Sequence, residues 1–196
     1  MAETSHALSL VVTRPDGRGG RDRKILQSPV KQWALKKGIP VLQPQDLVDP
    51  AFEEDLQKEN SDLFVLASYG RILPPSLLTI PLKGGINIHP SLLPKYRGAS
   101  PIPWAILKGD TETGVSIVRL VEEVDAGEVL LQKRLPVGPE EDAVTLSEKL
   151  SRLAGELLEE ALLEIDQKKA RFSPQTGKVS MTPLLKKEDG VIDWTQ

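Results

Sequence analysis

Residues 84–101 read GGINIHPSLLPKYRGASP. The first part, GINIH, is apolar and β-branched, with glycines in front and Pro90 behind. That pattern is a buried strand over residues 85–89. Side chains alternate along a strand, so Asn87 and His89 share one face. The chain holds only two histidines, and this one closes a strand among turn residues.

Working outward, short apolar runs alternate with helical patterns. Residues 7–13 (ALSLVVT), 39–44 (IPVLQP), 63–68 (LFVLAS), 114–120 (GVSIVRL) and 127–137 (GEVLLQKRLPV) read as strands, the first and third of them buried. Ser28-Pro29 and Asp49-Pro50 are helix starts, a capping side chain followed by proline. Val30, Trp33 and Ala34 form the apolar stripe of the first helix, which Gly38 ends, and Phe52 and Leu56 that of the second. Residues 74–80 suit a helical turn or two, and 101–108 a helix. Residues 145–168 form a long helix, with Leu146, Leu150, Leu153, Leu157, Ala161 and Ile165 at steps of three and four. Residues 14–24 form a glycine-rich loop with five basic and two acidic residues, and the stretch from 181 to the end is polar and irregular. Alternating strands and helices argue for an α/β domain with a mostly parallel sheet. Ligands of such sheets bind beyond the carboxyl ends of the strands, where His89 stands.

Composition narrows the chemistry. With 196 residues the chain suits one domain, or one domain and a tail. A net charge of -3 does not suit a generic polyanion binder. The absence of cysteine removes disulfides and thiolate metal sites, and it fits a reducing compartment. Two histidines leave little for a His-rich metal centre. No apolar run reaches the ~20 residues of a membrane span, and the N-terminus lacks the pattern of a signal peptide; a cytoplasmic location is expected. A Ser-hydrolase elbow, a P-loop lysine and a dinucleotide glycine fingerprint are all missing.

Asn87 and His89 on one face can hold a carbonyl oxygen and stabilise charge developing on it, and the imidazole can move a proton. The same pair also suits a turn cap and a histidine bonded to local backbone, and spacing alone leaves both open. Asp125 sits in EEVDAGEV, where Asp-Ala-Gly fits a turn between strands or a carboxylate orienting His89. The basic loop reads equally as a solvated connector.

The stretch INIHPSLLPKYRGASPIPWAILKGDTETGVSIVRLVEEVDAGEVLLQ, with His89 and Asp125 36 positions apart, resembles the core signature of the folate-dependent formyltransferases. Similarity continues through TRPDGRGGRDRKILQSPVKQWALKKGIPVLQP, ASYGRILP and PLLKKEDGVIDW, flanks that point to the members acting on methionyl-tRNA. The resemblance implies a Rossmann-like formyltransferase domain with a mostly parallel twisted sheet flanked by helices. It implies catalytic Asn87, His89 and Asp125, and 10-formyltetrahydrofolate as formyl donor without any metal. The folate would lie against Ser68, Tyr69, Gly70, Arg71, Ile72, Leu73 and Pro74. It would also touch His89, Pro90, Ser91, Leu92, Leu93 and Pro94, and Val121, Glu122, Glu123, Val124 and Asp125. The acceptor would be initiator methionyl-tRNA, contacted by Arg18, Arg21, Arg23 and Lys24 of the basic loop. His6, ahead of the first strand, matches nothing in the pattern and is expected to take no part.

Members of this family usually begin with a further strand, a G-T-P-x-F-A turn and a helix, and they end in a β-barrel. By that pattern residues 1–180 are an N-terminally incomplete catalytic domain and 181–196 a linker. Losing a central strand would leave the isolated chain poorly soluble. A monomer is expected. The alternatives are a glycinamide ribonucleotide or amino-sugar formyltransferase, a deformylase, or an inactive RNA-binding remnant; the 4% aromatic content speaks against a stacking-based single-strand binder.

Overall fold

The computed structural model describes residues 6–19, 24–191 and 194. The chain divides into two compact units, residues 1–86 and 87–196.

The first unit opens on β1 (Val11–Val12), much shorter than the apolar run 7–13. It pairs in parallel with β4 (Val41–Leu42), Val11 opposite Val41. Residues 14–24 are not wholly irregular: β2 (Gly17–Gly19) and β3 (Lys24–Leu26) form an antiparallel hairpin. Next comes α1 (Pro29–Lys36), capped by Ser28 Oγ accepting from the Lys31 amide at 3.1 Å and closed by Gly38 at φ +70°. Only Ala34 of its stripe is buried; Val30 and Trp33 are exposed, so the apolar face is wider than the surface that covers it.

Asp49 caps α2 (Pro50–Lys58), whose Phe52 and Leu56 pack with Leu47 and with Leu77 of α3 (Pro75–Leu78). Leu10, Val12, Leu42, Phe64, Tyr69, Leu73 and Ile80 surround this core. The strand β5 (Phe64–Ala67) is half-buried rather than buried, and its Phe64 amide donates to Gly84 O at 3.1 Å. The chain then enters the second unit through β6 (Gly85–His89), whose bounds coincide with GINIH.

The second unit continues with β7 (Arg97–Gly98), α4 (Pro101–Leu107), β8 (Glu112–Arg119), β9 (Val129–Pro136) and α5 (Ala143–Asp166). The sheet order runs β6-β8-β9. The outer pair, β8 and β9, is antiparallel, from Glu112 opposite Pro136 to Ile117 opposite Leu131, with a register shift between Ile117 and Val118. Val115, Ile117 and Val118 of β8 are buried, and α5 packs on β8 and β9. Its leucine stripe and Ala161 are buried, while Ile165 lies at the rim. Each such leucine contributes about 1.5–3 kcal/mol on removal from water. The stretch from 181, expected as a linker, begins by docking. There β10 (Met181–Thr182) pairs in parallel with β7, and Trp104 Nε1 donates to Pro183 O at 3.0 Å. Among the described residues no helix is long and apolar enough to cross a membrane.

Asp142 caps α5, accepting from the amides of Val144 at 2.9 Å and Thr145 at 2.8 Å, while Thr145 Oγ1 accepts from the Asp142 amide. These bonds, the Thr145 amide first, hold the Asp142 carboxyl below its ordinary range. A depressed folded-state value means the cap stabilises fully above the unfolded value, about 3.9, and fades as pH falls through the folded one. Asp142→Asn keeps an acceptor and removes the charge. Its urea midpoint should therefore fall less steeply than wild type between roughly pH 5 and pH 2. Identical slopes would contradict this.

Candidate active site

Alternation along β6 turns Ile86 into the core and leaves Asn87 and His89 on the other course of the strand. Asn87 Nδ2 donates to Asp125 Oδ1 at 2.9 Å. The Gly98 amide donates to Asp125 Oδ2 at 2.8 Å, and the same oxygen lies 3.5 Å from His89 Nδ1. One carboxylate, its side chain 10% exposed, therefore joins β6, β7 and the turn between β8 and β9. A carboxylate accepts only, which fixes the Asn87 amide with nitrogen toward Asp125. The second hydrogen on that nitrogen remains for an oxygen ligand.

His89 is 4% exposed, and its Nε2 lies 2.8 Å from Tyr96 O. A carbonyl cannot donate, so Nε2 carries a proton and donates to Tyr96. The ring atom left to face Asp125 is Nδ1. It lies 3.5 Å from Asp125 Oδ2 and donates there only when the ring carries a second proton.

Buried hydroxyls set the turn after β6. Ser116 Oγ, on β8, donates to Ser91 O at 2.6 Å and accepts from the Leu93 amide and from Gln132 Nε2. Gln132 also donates to Leu93 O, and Ser91 Oγ donates to Lys95 O. Every member has a partner, so the turn is held rigidly and fixes where Tyr96 O meets His89. Ser116 and Gln132 escaped the sequence reading; a serine inside the apolar run GVSIV was the available signal.

The remaining expected residues are distributed over both units. Of the turn, Ser91, Leu93 and Pro94 are buried, while Pro90 and Leu92 are half-exposed. Val121, Glu122, Glu123 and Val124 are exposed, next to Asp125. Residues 68–74 belong to the first unit, where Arg14 donates to Tyr69 O and Gly70 O, both at 2.8 Å. There Arg71 donates to Pro44 O and Gln45 O, and Ile72 is exposed. Arg18 and Lys24 lie on the β2–β3 hairpin, and Arg21 and Arg23 fall outside the described residues. His6 stands ahead of β1. Among the described residues no group of three or more His, Asp or Glu side chains gathers as metal ligands would.

The formyl transferase family profile matches residues 2–162. Methionyl-tRNA formyltransferase of Syntrophus aciditrophicus is 44% identical over 197 residues, covering 100% of this chain and 63% of that protein. Its counterpart in Geobacter sulfurreducens is 41% identical, with 62% of its length covered. This chain thus spans less than two thirds of either relative. Among solved structures, phosphoribosylglycinamide formyltransferase from Bacillus halodurans superposes with a TM-score of 0.67 at 28% identity, over 80% of this chain and 79% of that one. With the profile running across the strand of Asn87 and His89 and the turn of Asp125, the chain belongs to the formyl transferase family.

Proposed function

We propose that the chain transfers a formyl group from 10-formyltetrahydrofolate to the α-amine of initiator methionyl-tRNA. The observation that carries this reading is 44% identity, along the whole chain, to a methionyl-tRNA formyltransferase. The bridged carboxylate at the end of β6 supplies a physical route. The neutral amine attacks the formyl carbon, and negative charge develops on the formyl oxygen. Asn87 offers its second amide hydrogen to that oxygen, and protonated His89 offers Nδ1–H; preorganised donors of this kind act mainly on the transition state. Asp125 holds Asn87 in register and balances the charge on His89. The attacking nitrogen loses its proton, by way of a water, toward Asp125. The carbon–nitrogen bond to the folate then breaks, and the folate nitrogen takes up a proton as tetrahydrofolate leaves.

The test is an acceptor panel with labelled 10-formyltetrahydrofolate: methionyl-tRNA, glycinamide ribonucleotide, an amino-sugar nucleotide and water. Label should pass to methionyl-tRNA alone. Transfer to another acceptor, or release as formate, contradicts the assignment, and RNA binding without transfer would make the chain a non-catalytic RNA binder.

The basic loop gives an independent check of the acceptor. Replacing Arg21, Arg23 and Lys24 by alanine should weaken tRNA binding and flatten its salt dependence by about one unit of slope per lost phosphate contact. Transfer to a small free amine should persist. Unchanged tRNA affinity at moderate salt would leave the loop a solvated connector.

A further inference from the structure

Asp125 reaches its three partners from a backbone that does not favour it. Its φ is +51°, in the left-handed region, which an L-residue occupies at a cost unless the surroundings hold it there. The holding comes from Gln175, a residue beyond the span that the family profile matches. Gln175 Nε2 donates to Asp125 O at 2.7 Å and to Gly127 O at 2.8 Å. One amide nitrogen carries two hydrogens, and each carbonyl takes one. Arg97 fixes the other end: its Nε and Nη2 donate to Gln175 Oε1 at 3.0 and 2.9 Å. Arginine can only donate, so the amide oxygen must face Arg97 and the nitrogen must face the turn. The Arg97 side chain is only 12% exposed. The segment around Gln175 is itself anchored, since Ser173 and Val129 exchange backbone bonds at 2.8 and 2.9 Å and Arg119 covers the Phe172 ring.

We propose that Gln175 is the positioning residue of the site: by clamping the Asp125 and Gly127 carbonyls of the Asp-Ala-Gly turn, with Arg97 orienting it, it sets where the Asp125 carboxylate meets Asn87, Gly98 and His89. The proposal rests on the reading of Asp125 as part of a formyl-transfer site, but its first readout does not need activity. The Gly98 amide donates to Asp125 Oδ2, whereas the neighbouring Ala99 amide donates to Thr182 O at 3.0 Å. Gly98 exchange therefore reports the carboxylate, and Ala99 exchange reports the β7–β10 pairing beside it.

Hydrogen exchange by NMR on the full chain compares wild type with Gln175→Ala and Gln175→Glu. The glutamate keeps an acceptor for Arg97 and removes both donations to the turn, so it carries the test should the alanine variant unfold. In either variant the Gly98 amide should exchange at least ~10-fold faster while Ala99 changes little. An unchanged Gly98, or equal acceleration of both amides, overturns the proposal. In formyl transfer, kcat should fall roughly 10–10²-fold, as expected of a displaced reacting group, with KM for the acceptor within about twofold. A KM effect alone overturns positioning. If wild type shows no formyl transfer, it is the functional reading that fails, and the exchange data still decide the role of Gln175.

Discussion

His89→Ala is expected to lower formyl transfer to methionyl-tRNA by at least ~10²-fold, the usual loss for one preorganised donor to a developing oxyanion. Affinity for the acceptor should stay near wild type, because the contact to the oxygen strengthens only as charge builds there. The variant also removes the donor that Tyr96 O uses and empties a buried position, so stability will fall somewhat. Rates must be compared at a temperature where circular dichroism shows both proteins folded. A folded His89→Ala protein with wild-type turnover would exclude the imidazole from the chemistry.

Gly127→Ala should be among the most damaging substitutions in the second unit. A Cβ at Gly127 would lie 1.9 Å from Arg119 O, a backbone atom at the end of β8, where the Arg119 amide donates to Glu128 O at 2.9 Å. Forced overpacking of this kind costs about 3 kcal/mol, a fall of roughly 6–12 °C in Tm for a chain of this size. The turn that holds Asp125 shifts with it, so activity should drop even in the protein that remains folded. This explains in steric terms why a glycine follows two positions after the aspartate. A Tm within 2 °C of wild type, as roughly 0.5 kcal/mol would give, contradicts the clash.

Much of the fold was legible because its signals are local. Glycines and a proline bracket β6, so its ends could be read directly. Serine and aspartate before proline marked the starts of α1 and α2. The leucine spacing of α5 named Leu146, Leu150, Leu153, Leu157 and Ala161, all buried, but it included Ile165 at the rim and passed over Leu158 and Leu162, which are buried too. What could not be read depends on distant partners. An apolar run has no direction, so nothing in GVSIVRL and GEVLLQKRLPV distinguishes an antiparallel β8–β9 pair from a parallel one. The stripe of α1 gave its apolar side but not how much of it would be covered, and Val30 and Trp33 stayed exposed.

The site divides the same way. Asn87 and His89 were legible as a same-face pair from strand alternation, but Asp-Ala-Gly by itself reads equally as an ordinary turn, and only the resemblance to the formyltransferases pointed to Asp125. Gly98 and Tyr96 join through a backbone amide and a carbonyl, which every residue offers, so no pattern could single them out. Gln175 was missed for a related reason, since both groups that it clamps are carbonyls of a turn 48 to 50 positions away.

The central claim is that the side chains gathered on the Asp125 carboxylate act as one catalytic unit. A single-turnover assay with enzyme in excess tests it most directly, comparing wild type, Asn87→Ala, Asp125→Ala and the double variant. If Asp125 works by holding Asn87, each single variant should lose at least ~10²-fold in the transfer step. The double variant should then fall little below Asp125→Ala, because parts of one unit are lost together. An Asp125→Ala protein that transfers the formyl group at the wild-type rate, or losses that multiply fully in the double variant, would contradict the account.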